Sequence, residues 1–238
     1  VDREFVADQF LTCNLRSMRT GDVQYGCILD TKGLILDDAF VYLTDDSVEI
    51  LTSGCHSRQL VDYIGHYIFY VRRNGADVAL ERSPLTTAVA LQGPRAAEAL
   101  HRMLVKNPAF QMVTADEERQ PLAPSLVNDM PYMSFVGLHS PEHQGCGLLH
   151  ILRAGITGED GFEIVARPGA LVHELVTALL QQDQIVRPAG AYCLDILRME
   201  AGIPRVGADI PSGTTSPIRA SLTWTLDQSK MRGHLMLG

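Results

Sequence analysis

The chain is sparing with the features that mark out several function classes. No apolar run approaches the ~20 residues that a helix needs to cross a bilayer. No N-terminal segment reads as a signal or transit peptide. Basic residues are in deficit, with 20 Lys and Arg against 28 Asp and Glu and a formal net charge of −8. General affinity for nucleic acid needs a basic face, so that class is set aside, while a local basic pocket for an anion stays open. No GxGxxG or GxxxxGK[ST] phosphate loop occurs, nor an HExxH zinc pair, nor a GxSxG nucleophile elbow. His139 and His143 flank Pro141 in a stretch that reads as a loop, which offers no helix to align them on a metal. Cys13, Cys27, Cys55, Cys146 and Cys193 show neither CxxC nor zinc spacing and read as reduced thiols.

What is present is an ordinary globular composition, 46% hydrophobic and 20% charged over 238 residues, enough to bury a sizeable core. Short apolar runs at 25–29, 34–43 and 48–51 alternate with polar turns and predict strands. Leu60, Ile64, Tyr67, Ile68 and Val71 then recur at helical spacing, with Ser57 as the expected N-cap. A strand is expected at 88–91, followed by a helix bearing Ala97, Leu100 and Leu104 that starts at Pro94. Residues 114–128 read as a surface excursion. Strands at 146–153 and 162–165 flank a turn of Ile156-Thr157-Gly158-Glu159-Asp160-Gly161. Helices are expected at 171–180 and 191–201, and a closing strand with the single tryptophan, Trp224, at 221–226. Strands paired with intervening helices point to an α+β chain with antiparallel sheets and packed helices. One core spans 1–238, with subdivision near 86 or 128 weakly marked.

Two acidic groups stand out. Asp37-Asp38 interrupts an apolar run, and strand alternation sends one carboxylate inward and its neighbour outward. An inward carboxylate must be paired or hydrogen-bonded. It either bonds loop amides at a strand end or faces a ligand amine. Glu159, Asp160 and Glu163 crowd one turn. They form a solvated hairpin tip, or Glu163 points inward and accepts paired N–H bonds from a heterocycle.

Several segments, taken in order, resemble the glycine cleavage T-protein family. Leu91-Gln92-Gly93-Pro94 is similar to its LQGP segment, and residues 155–163 resemble GYTGEDGFE. Residues 197–202 and 207–210 resemble LRLEAG and YGxDI, residues 214–226 the region ending in LSWTL, and residues 33–42 the GGIIDDLIVY strand. One such match would be weak; the ordered set over residues 21–226 is specific.

The resemblance implies a folate-binding fold. It also implies aminomethyl transfer from the lipoyl arm of the H-protein to tetrahydrofolate, with release of ammonia and formation of methylene-tetrahydrofolate. The catalytic aspartate of the family falls on Asp38 and its pterin-binding glutamate on Glu163, while Tyr25 and Tyr42 match pocket aromatics. A mitochondrial matrix setting is implied for eukaryotic members and a cytoplasmic one for bacterial members; no metal, membrane or nucleic-acid partner is implied.

The departures from the family pattern are specific. Ile156 replaces the GYTG tyrosine, Leu194 the arginine that meets the glutamate tail of folate, and Arg219 a glutamate. Ser53 replaces an asparagine and Val206 the YGxDI tyrosine. The family's DVSHMG segment and C-terminal β-barrel domain have no counterpart in this sequence. A non-catalytic subunit with a degenerate folate pocket, structural within a larger assembly, is the alternative these departures imply. The iron–sulfur-assembly branch, marked by KGCYxGQE, is disfavoured because GITGEDGFE stands at that position.

Overall fold

The computed structural model describes residues 2–82, 86–106, 111–113, 119–121, 126–140, 147–168, 170–182 and 184–233. They fall into two compact units, Val1–Arg82 with Pro204–Gly238, and Ser83–Ile203.

The first unit opens with a short helix, α1 (Arg3–Ala7), and a three-stranded antiparallel sheet in the order β1 (Val23–Leu29), β2 (Ile35–Leu43), β3 (Val48–Thr52). Local chemistry sets both turns. Asp30 Oδ1 accepts the amides of Lys32 and Leu34 at 2.8 Å each, and Gly33 takes the positive φ that this turn requires. Between β2 and β3, Thr44 Oγ1 accepts the Ser47 amide at 2.9 Å.

A bulge in β2 controls which side chains share a face. Ile28 pairs with Asp37 and Leu29 with Ile35, which leaves Leu36 as the extra residue. Beyond it, Ala39, Val41 and Leu43 pack with Leu60, Ile64 and Ile68 of α2 (Ser57–Arg73) and with Val6, Phe10 and Leu11. The opposite face brings Cys27, Leu29 and Ile35 against Val206, Ile210 and Leu222. Both faces of this small sheet are therefore covered. Ser57 is the first helical residue of α2; His56 precedes it, and no side chain caps the N-terminus of the helix.

The second unit holds a six-stranded sheet in the order β4-β9-β8-β7-β5-β6, with every neighbouring pair antiparallel. Its strands are β4 (Thr87–Gln92), β5 (Gln111–Val113), β6 (Arg119–Pro121), β7 (Phe135–Ser140), β8 (Gly147–Leu152) and β9 (Gly161–Arg167). The helices are α3 (Ala96–Lys106), the short α4 (Leu126–Asp129), α5 (Ala170–Leu180) and α6 (Ala191–Glu200). Leu100 and Met103 of α3 and Leu171 and Leu175 of α5 bury against Leu149, Ile151, Phe162 and Ile164 of β8 and β9. Alternation along β9 sends Phe162 and Ile164 into this core and turns Glu163 to the other face. The expected excursion at 114–128 lies partly outside the described residues, and its described parts include β6 and the start of α4.

The chain re-enters the first unit at Pro204 and ends its described course in α7 (Gln228–Gly233). The strand expected at 221–226 is instead a 3-10 turn at Thr223–Thr225. Ser221 has a φ of 59°, which breaks extended backbone, and the Leu222 amide folds back to the Pro217 carbonyl at 2.8 Å. The α+β architecture read from the sequence holds. Among the described residues no helix is long and apolar enough to cross a membrane.

Candidate functional site

In the first unit the chemistry gathers on β1 and β2. Register places Val23 opposite Tyr42, Tyr25 opposite Phe40 and Cys27 opposite Asp38, so Tyr25, Asp38 and Tyr42 share one face of the sheet. The Tyr25 hydroxyl donates to Asp38 Oδ2, and the Val206 amide donates to Oδ1 at 3.4 Å. The Tyr25 ring stands edge-on to Phe40 at 5.2 Å and stacks on Trp224 at 5.3 Å with 13° between planes. Burial, with Asp38 alongside, pushes the Tyr25 phenol well above its ordinary range, so it stays a protonated donor. Tyr42 is buried on the same face.

The sequence expectation of one inward and one outward aspartate does not hold. Asp37 is 0% exposed and Asp38 7%. Alternation does send them to opposite faces, but helices cover one face and the 206–222 segment covers the other. Asp37 Oδ1 accepts the Asp38 amide at 3.0 Å, while Oδ2 is buried without a hydrogen-bond partner. Burial pushes the Asp37 carboxyl up to about 7, with Asp38 adding in the same direction.

Cys27 lies beside Asp38 and contacts Thr225 Oγ1 at 3.7 Å. Burial raises its thiol to about 12, so it holds no thiolate for nucleophilic chemistry. Cys13, Cys55 and Cys193 are likewise free thiols.

The second unit carries Glu163. It is half-buried on β9, between Ala90 and Leu152 in register. Burial alone raises its carboxyl to about 7. Gln92 Nε2, at the end of β4, lies 3.4 Å from Glu163 Oε1. The three acids of the turn separate by environment. Glu159 is exposed, and Asp160 is gripped by Arg153 through Nε–Oδ1 at 3.0 Å and Nη2–Oδ2 at 2.8 Å. That guanidinium holds the Asp160 carboxyl below its ordinary range. Arg153 Nη1 also donates to the carbonyls of Val127, Asn128 and Met130. Gly158, with φ at +77°, is a turn glycine, whereas Gly161 opens β9.

The structure joins Tyr25 to Asp38 directly, sets Tyr42 on their face, and holds Glu163 in the other unit. Three participants escaped sequence reasoning: the Val206 amide, Gln92 and Trp224. Val206 counted only as a lost tyrosine, although a main-chain donor does not depend on the side chain above it. Leu194 is half-buried on α6 and Arg219 is exposed. Among the described residues no cluster of His, Cys, Asp and Glu is arranged to hold a metal; His143 lies outside them.

Residues 2–230 match the model of the GCVT N-terminal domain family. The aminomethyltransferase of Burkholderia ambifaria is 31% identical over 92% of this chain and 52% of its own length. The human protein named "Aminomethyltransferase, mitochondrial" is 30% identical over 96% of this chain and 51% of its own. The crystal structure of glycine cleavage system aminomethyltransferase T from Bartonella henselae superposes with a TM-score of 0.75 at 26% identity, covering 100% of this chain and 56% of that one. The chain thus spans about half the length of the curated relatives it matches. With fold, motif order and sequence likeness in agreement, the chain belongs to the GCVT N-terminal domain family.

Proposed function

We infer that this chain is the folate-binding core of an aminomethyltransferase of the glycine cleavage type. On this reading it passes the one-carbon unit of the aminomethyl group from the lipoyl arm of the H-protein to tetrahydrofolate, giving methylene-tetrahydrofolate, ammonia and the freed lipoyl thiol. The supporting observation is the setting of Asp38: a buried carboxylate held by a tyrosine hydroxyl and a main-chain amide, with no cation paired to it among the described residues. Such a group accepts a further proton donor without first breaking a salt bridge.

Each unit offers groups that suit a reduced pterin. In the second, the Glu163 carboxylate suits a heterocycle that presents N–H and NH2 side by side. In the first, Tyr25 and Trp224 supply aromatic surface beside Asp38, with Tyr42 buried on the same face. Tetrahydrofolate would contribute the secondary amine that takes up the one-carbon unit. The role of Asp38 is to orient and polarise that amine, and the role of Tyr25 is to fix the rotamer of Asp38. Positioning and electrostatics of this kind supply rate without a covalent enzyme intermediate.

Calorimetric titration of the purified chain with tetrahydrofolate tests the reading. Saturable binding is expected, lost in Asp38→Ala and in Glu163→Ala. No heat at millimolar ligand would sink it. Turnover is then assayed with the full-length protein and aminomethylated H-protein.

A second reading, a non-catalytic structural subunit, draws on Leu194. A leucine where the family places an arginine removes a charge-assisted contact to the glutamate tail of folate, about 1.5–3 kcal/mol. The two readings part on whether binding is lost when Asp38 is changed. The family resemblance supports a mitochondrial matrix location, and the human relative is named as mitochondrial.

A further inference from the structure

Gln92 ends β4 and meets the start of β9, where the loop after β8 returns to the sheet. Its amide Nε2 lies 3.1 Å from the Ala154 carbonyl, 3.3 Å from the Phe162 carbonyl and 3.4 Å from Glu163 Oε1. Its Oε1 accepts the Thr157 hydroxyl at 3.1 Å. Acceptors on one side and a hydroxyl donor on the other fix which way round the amide sits.

Two glycines make room for it. A Cβ on Gly155 would fall 2.1 Å from Gln92 Oε1, and a Cβ on Gly161 would fall 2.4 Å from the same atom. The glycines at both ends of the 155–161 loop thus leave the space that Gln92 fills. Among the described residues, Gln92 is also the one hydrogen-bond partner of the Glu163 carboxylate. An amide nitrogen carries two hydrogens, and here it faces three acceptors, of which the carboxylate is the most distant.

The geometry points to Gln92 as the positioning residue of Glu163: its side-chain amide ties the 155–161 loop to β4 and aims the carboxylate, which stays free to turn its second oxygen to a ligand. Two hydrogens shared among three acceptors allow Glu163 to give up its long bond while the amide keeps both carbonyls. The carboxylate is steered without being locked. That the ligand is a pterin rests on the reading of Glu163 given above; the steering of Glu163 by Gln92 does not.

The test has two arms. In the ligand-free arm, the side-chain amide protons of Gln92 are followed by NMR through a pH titration. They are expected to shift as Glu163 titrates, and the shift should vanish in Glu163→Gln. An amide that ignores the titration overturns the proposal. In the second arm, 5-formyl-tetrahydrofolate binding is measured by calorimetry in a double-mutant cycle. Gln92→Met is expected to weaken binding about tenfold in the presence of Glu163 and no more than about twofold in the Glu163→Gln background. Equal losses in both backgrounds would mean that Gln92 only holds the loop, and would overturn it too. Absence of binding in the unaltered chain, with the amide shift present, would remove the pterin reading and leave the steering of Glu163 standing.

Discussion

Asp37 and Asp38 are neighbours on β2 whose side chains enter opposite surroundings. Asp37 pairs in register with Ile28, a member of the apolar cluster beneath α2, and keeps one buried oxygen unbonded, whereas Asp38 faces two donors, Tyr25 and the Val206 amide. The same residue type, one position apart, thus has its carboxyl pushed up to about 7 by burial in one place and is bonded as an acceptor in the other.

A stability profile follows from Asp37. Its carboxyl is raised from 3.8 to about 7 by burial. Between those values the folded chain holds a proton that the unfolded chain has released, so stability falls as pH rises. The slope reaches about 1.4 kcal/mol per pH unit. Glu163, also raised to about 7, adds in the same direction. Urea midpoints for the unaltered chain should therefore be higher at pH 5 than at pH 7.5, and Asp37→Asn should flatten the difference. An unchanged slope in the variant would show that Asp37 is ionised in the fold.

Ligand affinity should move the opposite way. A protonated carboxyl presents one donor, whereas a face of paired N–H groups requires two acceptors. With Glu163 at about 7, pterin affinity should rise about tenfold from pH 6 to pH 8. Calorimetry at the two pH values measures this, with Glu163→Gln expected to bind weakly and nearly independently of pH. A flat profile in the unaltered chain would exclude Glu163 as the pterin acceptor.

Tyr25 separates two functions in one side chain. Tyr25→Phe keeps the ring between Phe40 and Trp224 but strips the donor from Asp38 Oδ2. Reduced-folate affinity should drop about tenfold, the worth of a bond to a charged group, while Trp224 emission stays where it was. Tyr25→Ala should lower affinity as well and also shift that emission to the red, because the indole, already 60% exposed, loses its stacking partner. If Tyr25→Phe binds like the unaltered chain, the hydroxyl does not orient Asp38.

How much of this was legible beforehand depends on whether the signal was local. The β1–β3 meander, α2, α3 and α5 announce themselves through periodicity, and their apolar stripes are the residues that bury. Asp37-Asp38 is conspicuous as acids in an apolar run and Glu163 as one of three acids crowding a turn, and the family resemblance is what selects Asp38 and Glu163 among them. The burial of both faces of β2 was not legible, since the covering residues 206–222 lie more than 160 positions downstream. The same distance hid the Val206 amide, which no side-chain pattern reports. Gln92 looked like an ordinary strand end; only the space left by Gly155 and Gly161 shows what its amide does. Residues 221–226 misled because a β-like composition there serves a turn that lays Trp224 on Tyr25.

The chain closes with a buried ion pair that helps hold the first unit together. Lys230 is 1% exposed, and its ammonium donates to the carbonyls of Asp8 at 2.6 Å, Leu11 at 2.8 Å and Cys13 at 2.6 Å. It also lies 2.9 Å from Asp8 Oδ1, which in turn accepts the Leu15 amide at 3.0 Å. Lys230→Met fills much of the same volume yet leaves the carbonyls without their cation and the buried Asp8 carboxylate with only the half-exposed Arg16, 3.6 Å away. The expected cost is about 3–5 kcal/mol. Pairing it with Asp8→Asn should recover part of the loss, because the buried charge that kept only Arg16 is then gone. Chemical denaturation of the three variants measures the cycle. A Lys230→Met chain as stable as the original would mean that the segment after α1 is held by its apolar contacts alone, with the ammonium contributing nothing net.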